Sequence, residues 1–183
     1  MIARNLAAAG AAFALGLSTP ALAELPVGAS APDFAAPGAL AGKPFSFKLH
    51  QALKKGPVVL YFYPKAFTQG CTLEAHAFAE ATAQFSAAGA TVIGMSNDDV
   101  ATLQKFSTEA CRDKFAVASA SPNLIKAYDV DLRKPDGSST GLTKRTSYVI
   151  GRNGKVVMVH SDMDYRDHVK MTLAAVRKLK AKG

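Results

Sequence analysis

Residues 57–74 read PVVLYFYPKAFTQGCTLE, and this stretch decides the fold. Its first part, residues 57–63, is a continuous apolar, β-rich run, which is typical of a strand buried on both faces of a sheet. Pro64 ends that strand because proline has no N–H to donate to a neighbouring strand. From Cys71 the apolar residues recur every three or four positions until Gly89, which predicts a helix. The stretch is therefore a buried strand, a short turn and the start of a helix.

The rest of the chain continues the alternation of strand and helix. Downstream, the pattern predicts, in order, a strand at 91–95, a helix at 100–110, a strand at 115–118, a short helix at 121–128, a loop at 131–144, two strands at 146–150 and 155–160, and a helix at 167–180. Asn153-Gly154, between the last two strands, is typical of a hairpin turn. Upstream, residues 24–55 predict an N-terminal hairpin or meander. This order predicts one α/β domain, a thioredoxin-like sandwich with a mixed central sheet and helices on both faces.

The first 23 residues have the three parts of a secretory signal peptide. Arg4 gives a basic start, residues 6–17 are apolar, and Ala21-Leu22-Ala23 is a small-residue cleavage site. The apolar run is shorter than the roughly 20 residues that a membrane-spanning helix needs. We therefore expect cleavage after Ala23, export to the periplasm or the medium, and a mature domain of residues 24–183 without a membrane span.

Charge and histidine spacing restrict the partners of this domain. The formal net charge is +8, but the basic residues are scattered, and their modest cluster at 177–182 is typical of a solvated helix face. We expect neither a nucleic-acid nor a membrane partner, and no coiled-coil pattern or large apolar edge requires more than a monomer. His50, His76, His160 and His168 lack the spacing of metal ligands, so no metal or other cofactor is expected.

The chain has two cysteines, Cys71 and Cys111. In an oxidising compartment they suit either a permanent disulfide or a catalytic pair that opens and closes, and composition does not choose between these. The position of Cys71 is more informative. In the first turn of a helix, free backbone N–H groups and the helix dipole stabilise an anion, so this position favours the nucleophilic thiolate.

Three segments of the chain resemble the peroxiredoxin family, in particular its bacterioferritin comigratory or peroxiredoxin Q subfamily. Tyr61-Phe62-Tyr63-Pro64-Lys65 followed by Thr68-Gln69-Gly70-Cys71-Thr72 is similar to the family's active-site segment, in which Pro-x-x-x-Thr-x-x-Cys is the specific spacing. Residues 26–34 are similar to the family's opening, and residues 144–150 to its late arginine-bearing strand. The resemblance covers nearly all of residues 24–183.

The resemblance implies a thiol peroxidase for hydrogen peroxide, with organic hydroperoxides as a further candidate class. It makes Cys71 the peroxidatic cysteine, Thr68 a hydrogen-bond partner of the reacting centre, Pro64 its shield, Arg145 the support of thiolate and peroxide, and Glu74 the residue that orients Arg145 or another active-site group. The chemistry fits these roles. Attack of a thiolate on an O–O bond puts negative charge on the departing oxygen, which a fixed cation and a hydroxyl donor stabilise.

The regeneration of Cys71 departs from part of the family's pattern. Many peroxiredoxin Q proteins have a resolving cysteine five residues after the peroxidatic one, where this chain has His76. Others carry it on the next helix, where Cys111 is predicted to lie near the helix end, partly reachable from solvent. The implied cycle converts Cys71 to a sulfenic acid, forms a Cys71–Cys111 disulfide, and uses an external thioredoxin-like dithiol to reduce it. A one-cysteine cycle, in which another thiol attacks the sulfenic acid, is the alternative.

Two other classes of function stay open at this point. One is a thioredoxin-fold module with a permanent Cys71–Cys111 disulfide and a binding role. The other is a thiol-disulfide oxidoreductase. The sequence disfavours the oxidoreductase, because Thr68-Gln69-Gly70-Cys71 stands where a Cys-x-x-Cys pair would be needed.

Overall fold

The structure is a computed structural model that describes residues 24–181. The predicted signal peptide, residues 1–23, lies outside the described residues. Within residues 24–181, no helix combines the length and the apolar character needed to cross a bilayer.

The described chain alternates strands and helices much as the sequence predicts. The elements are β1 (Ala35–Leu40), β2 (Lys43–Lys48), α1 (Leu49–Lys55), β3 (Val58–Phe62), α2 (Gln69–Ala87), β4 (Thr91–Ser96), α3 (Val100–Glu109), β5 (Ala116–Ser119), α4 (Pro122–Ala127), β6 (Asp131–Arg133), β7 (Ser139–Thr143), β8 (Thr146–Ile150), β9 (Val156–Ser161) and α5 (His168–Lys180). A single 3-10 turn, Tyr165–Asp167, precedes α5.

Seven strands form one mixed sheet in the order β2-β1-β5-β4-β3-β8-β9. The strands β3, β4 and β5 are parallel, as their helical crossovers require, whereas β1 is antiparallel to β5 and β8 is antiparallel to β3. The β1–β2 and β8–β9 hairpins form the two edges. The predicted mixed sheet with an N-terminal hairpin is therefore confirmed.

The central strand β3 separates two hydrophobic cores. All five of its residues are buried, and they alternate between the faces of the sheet. Val59 and Tyr61 pack on the side that α2, α3 and α5 cover, while Val58, Leu60 and Phe62 pack on the side that α1 and α4 cover. Because both faces are covered, β3 reads as an unbroken apolar run, and the predicted sandwich is confirmed.

The structure corrects the predicted order of elements at two places. Residues 131–144 are not a loop, because β6 and β7 pair within them as a separate two-stranded sheet. These strands are short, polar and largely exposed, so they lack the apolar alternation by which a strand is recognised. The helix α1 was not predicted either. It has seven residues and buries only Leu49 and Leu53, which is too little for a helical period to appear.

Candidate active site

Cys71 is the third residue of α2 and is 1% exposed. The strand β3 leads to it through a short loop, and the Tyr63 N–H extends the strand by donating to the Met95 carbonyl at 2.9 Å. Helix α2 then begins at Gln69, with Thr68 as its N-cap residue. The thiol is therefore at the positive end of a helix whose first N–H groups have no partner within the helix.

Contacts with the end of β4 hold the loop before Cys71. The Ala66 N–H donates to Asp98 Oδ2 at 2.7 Å, and the Ser96 hydroxyl donates to the same oxygen at 2.7 Å. Phe67 has a φ of +64°, a left-handed conformation that costs a non-glycine residue about 1 kcal/mol. Its ring stands edge-on to Phe106 of α3, with 5.2 Å between centroids. The hydrogen bond from the Ala66 N–H to Asp98 and the contact between the Phe67 and Phe106 rings together fix how this loop enters α2.

Strand pairing brings Arg145 to the same place. Because β8 runs antiparallel to β3, with Thr146 opposite Phe62, the start of β8 lies beside the end of β3. Arg145 immediately precedes β8, is 4% exposed, and places Nη2 3.4 Å from Cys71 Sγ. The pairing of two neighbouring strands thus brings together two residues that are 74 positions apart in the sequence.

The Arg145 guanidinium is held at two further nitrogens. Its Nη1 donates to Glu74 Oε2, and its Nε donates to the Met163 carbonyl at 3.0 Å. Glu74 is fully buried on α2, three residues and thus almost one helical turn after Cys71. The guanidinium therefore has one side anchored and presents Nη2 to the sulfur.

Burial dominates the electrostatics of this pair. It raises the pKa of Glu74 to about 8, although Arg145 acts in the opposite direction. Burial also disfavours the charge of Arg145, but Glu74 and Cys71 outweigh it and raise the pKa of Arg145 above its ordinary value. Arg145 thus supplies a permanent positive charge beside the sulfur.

Thr68 and Pro64 lie in the loop that leads from β3 to Cys71. Thr68 is exposed, and its hydroxyl donates to the Lys65 carbonyl at 2.9 Å. In this arrangement its oxygen can accept a hydrogen bond from a peroxide but has no second proton to donate. Pro64 is half-buried at the end of β3, and any role of its ring is steric. The proposed roles of both residues stay predictions.

The prediction that Cys111 is partly reachable is wrong. The residue is 0% exposed and lies just past the end of α3, where its N–H donates to the Phe106 carbonyl at 3.0 Å. Burial, with a smaller contribution from Asp113, raises the pKa of the Cys111 thiol. Cys111 is buried because α3 ends at Glu109, so that the residue lies in the turn after the helix and not on the helix surface. In this conformation both cysteines are buried free thiols.

Sequence reasoning missed part of the site. The contact of Arg145 with the Met163 carbonyl could not be predicted from the sequence. Every residue has a backbone carbonyl, and only the course of the backbone decides which one Arg145 reaches. Ser147 and His168 form a buried pair behind Glu74, with 2.8 Å between Ser147 Oγ and His168 Nδ1. Ser147, the second residue of β8, follows Arg145 by two positions, a spacing that places both side chains on one face of extended backbone. Throughout residues 24–181, no three His, Cys, Asp or Glu side chains converge as metal ligands.

The sequence and the fold are similar to those of known proteins. The sequence model of the AhpC/TSA family matches residues 27–159. Chloroplastic peroxiredoxin Q of Suaeda salsa is 34% identical over 127 residues, which is 69% of this chain and 58% of that protein. The crystal structure of peroxidoxin BcpB from Mycobacterium tuberculosis has 32% identity and a TM-score of 0.73, over 84% of this chain and 97% of that one.

A third similar protein is the bacterioferritin comigratory protein of Xanthomonas campestris, which was studied for its alkyl peroxide reduction activity. It is 28% identical, with a TM-score of 0.67, and the alignment covers 79% of this chain and 91% of that one. The chain thus spans little more than half of the chloroplast relative but most of the two bacterial structures. These structures confirm the predicted thioredoxin-like fold.

Proposed function

Because this chain belongs to the AhpC/TSA family of peroxiredoxins, we propose that it is a thiol peroxidase whose nucleophile is Cys71. The observation that carries the proposal is the 3.4 Å contact between Arg145 Nη2 and Cys71 Sγ at the start of α2. The guanidinium and the helix N-terminus both place positive charge beside the buried sulfur, and the thiolate is the form of cysteine that acts as a nucleophile. The same groups then face the oxygen that becomes negative during the reaction.

The first step is a two-electron transfer from sulfur to peroxide. The thiolate attacks one peroxide oxygen, an S–O bond forms, and the O–O bond breaks. The bonding electron pair leaves on the second oxygen, which takes a proton and departs as water or, from an organic hydroperoxide, as an alcohol. Cys71 becomes a sulfenic acid. Arg145 stabilises the departing oxygen more than the ground-state peroxide, which is the condition for catalysis.

The test of this function is peroxide consumption by the purified protein with dithiothreitol as reductant. The chain contains no tryptophan, so peroxide is measured directly and not through intrinsic tryptophan fluorescence. We expect rapid turnover by the wild type and none above background by Cys71→Ser. A wild-type rate equal to that of Cys71→Ser would refute the proposal.

Regeneration is proposed to use Cys111. Its thiol attacks the Cys71 sulfenic sulfur, an S–S bond forms, the S–OH bond breaks, and water leaves. Because Cys111 is fully buried, the chain after α3 must open first. Arg112 and Asp113, directly after Cys111, have φ values of +51° and +60°, so this turn is strained and a plausible place for local opening.

Peptide mapping after one equivalent of peroxide tests this step. We expect a Cys71–Cys111 crosslink in the wild type and a persistent sulfenic acid at Cys71 in Cys111→Ser. Wild-type protein that accumulates the sulfenic acid without a crosslink would favour the one-cysteine cycle. The permanent-disulfide alternative is less well supported, because the proteins that the chain resembles are peroxiredoxins.

The remaining features of the proposal concern substrates, reductant and location. Phe67, Leu73 and Met163 are 44%, 41% and 53% exposed on the segments that border the thiol, an apolar character that suits organic hydroperoxides. We expect a thioredoxin-like dithiol as reductant, a monomeric protein, and export directed by residues 1–23. N-terminal sequencing of the exported product should begin at Glu24, whereas a retained leader would contradict export.

A further inference from the structure

A buried polar cluster stands behind the Arg145–Glu74 pair and is not used in the steps above. It consists of Ser147 near the start of β8, His168 at the start of α5, and the carbonyl of Asp162 in the turn between β9 and α5. Ser147 and His168 are both 0% exposed. Buried polar groups are costly unless they are hydrogen-bonded, so such a cluster is retained only where its bonds are made.

The contacts of His168 determine its tautomer. His168 Nε2 is 2.9 Å from the Asp162 carbonyl oxygen, which can only accept, so Nε2 carries the proton and donates. In the neutral ring Nδ1 is then an acceptor, and the Ser147 hydroxyl donates to it at 2.8 Å. Burial above all, with His160 and Arg145 contributing, lowers the pKa of His168 to about 4, which agrees with a neutral ring.

The same turn carries an anchor of Arg145. The Asp162 N–H donates to the Arg145 carbonyl at 3.2 Å, and the next residue, Met163, accepts from Arg145 Nε at 3.0 Å. By binding the Asp162 carbonyl, His168 fixes the peptide that leads to the Met163 carbonyl. A shift of this turn would move the acceptor on which the orientation of the guanidinium depends.

His168 also lies against the other anchor. Glu74 Oε1 is buried without a hydrogen-bond partner and is 3.7 Å from His168 Nδ1, a distance too long for a hydrogen bond. The ring therefore packs against the free oxygen of Glu74 and leaves Oε2 as the oxygen that receives Arg145. His168 thus touches both the turn and the carboxyl group that hold Arg145.

We propose that His168 is a positioning residue that sets the orientation of Arg145 against Cys71, through the Asp162–Met163 turn and through Glu74. It acts on the reaction only through these groups and exchanges no proton with the substrate. The inference rests on the proposed peroxidase function, since the orientation of Arg145 matters only if Cys71 attacks a peroxide.

The test compares two substitutions of His168 with a matched core control. His168→Leu removes both ring nitrogens, whereas His168→Gln retains an amide N–H that can reach the Asp162 carbonyl. Val176→Ala removes a buried methyl pair from the same helix without touching the polar cluster. The measurements are the second-order rate constant for hydrogen peroxide and the nitrogen NMR signal of Arg145 Nε–H, which reports its bond to the Met163 carbonyl.

We expect His168→Leu to slow the peroxide reaction about tenfold, as loss of one positioning hydrogen bond predicts, and to lose the protected Nε–H signal. His168→Gln should keep the signal and stay within about threefold of the wild type. Val176→Ala should lower stability with the rate and the signal unchanged. A folded His168→Leu protein with the wild-type rate, or an equal rate loss in Val176→Ala, would overturn the proposal.

Ser147→Ala tests the positioning role of His168 if His168→Leu does not fold. It removes only the donor to Nδ1, and we expect a rate loss of about threefold to fivefold with a shifted Nε–H signal. An unchanged rate and signal in Ser147→Ala would count against the proposal. Failure of the peroxidase function itself would look different, because the wild type would then be no faster than Cys71→Ser.

Discussion

At the reacting sulfur, the three nitrogens of one guanidinium group each donate to a different acceptor. Arg145 gives Nη1 to Glu74, Nε to the Met163 carbonyl and Nη2 to Cys71. Two of these bonds hold the group in place so that the third is available to the reacting centre. A group that is already oriented needs no reorganisation when charge develops, and this is why such a site accelerates a reaction.

Gly70→Ala should separate activity from stability at this site. A Cβ on Gly70 would lie 3.2 Å from Arg145 Nη2, the atom that contacts the thiol, and the two anchors of Arg145 prevent it from moving away freely. Alanine is also a better helix former than glycine by about 1 kcal/mol. We expect the rate of peroxide consumption to fall several-fold while the free energy of unfolding stays equal or rises. Equal rates for Gly70→Ala and wild type would show that Nη2 has room to adjust.

Glu74 and His168 should affect the pH dependence of the free energy of unfolding in opposite directions. The pKa of Glu74 is about 8 in the folded protein against an ordinary 4.5, so the folded state holds more protons and loses stability as pH rises through this range. The pKa of His168 is about 4 against 6.5, so the unfolded state holds more protons and stability falls as pH drops from 6.5 to 4. Between pH 6.5 and 8 the Glu74 effect acts without opposition from His168.

Denaturant unfolding of wild type and Glu74→Gln across pH 6.5 to 8 measures the Glu74 effect. Wild-type stability should fall with a slope of at most about 1.4 kcal/mol per pH unit, and the slope should be smaller in Glu74→Gln. The groups that face His168 are Glu74 on α2, Arg145 before β8, His160 on β9 and the Asp162 turn. Parallel curves for the two proteins would mean that Glu74 does not titrate in this range.

At the scale of elements, the site depends on how closely the strands approach one another. Gly38 lies in β1 opposite Ala118 of β5, and a Cβ at this position would be 2.1 Å from the Val117 carbonyl oxygen. Residue 38 and the Val117 carbonyl both belong to the backbone of paired strands, so neither can move aside without breaking the β1–β5 pairing. The N-terminal hairpin can join the sheet only because residue 38 has no side chain.

Gly38→Ala should therefore destabilise the fold more than an ordinary surface substitution. Overpacking in a rigid interior typically costs 1 to 3 kcal/mol, and we expect a loss of about 3 kcal/mol in the free energy of unfolding. Ser46→Ala, at an exposed position of the partner strand β2, is the control and should change stability by less than about 0.5 kcal/mol. A loss no greater than that of the control would mean that β1 can shift away from β5.

At the scale of the whole molecule, the sheet order creates the site. The placement of β8 beside β3 brings Arg145 to Cys71, and α5 returns over the same face to bring His168 behind Glu74. The sequence predicted the sheet because β3, β4 and β8 are buried, largely apolar runs. The resemblance to a family predicts Cys71 as a site residue through residues 61–72, and Arg145 through the separate segment 144–150.

The other features of the site depend on the course of the backbone in its turns, which cannot be predicted from the pattern of residues. The burial of Cys111 follows from where α3 ends, one or two residues before the helical period would have ended it. The Met163 carbonyl and the His168 tautomer follow from the turn between β9 and α5. His168 was visible in the sequence but carried no signal of its own, because a single histidine at a helix start is common in any fold.

The most direct test of the central claim is the order in which side chains are oxidised in a single turnover. Reduced wild-type protein is mixed with one equivalent of hydrogen peroxide, quenched with acid at millisecond intervals, denatured, treated with an alkylating agent so that buried thiols also react, and mapped by mass spectrometry. The map follows Cys71, Cys111 and the five methionines. We expect Cys71 to lose its free thiol first, at the rate at which peroxide disappears, and Cys111 to follow. Prior oxidation of Cys111 or of a methionine, with Cys71 still open to alkylation after the peroxide is consumed, would contradict this expectation.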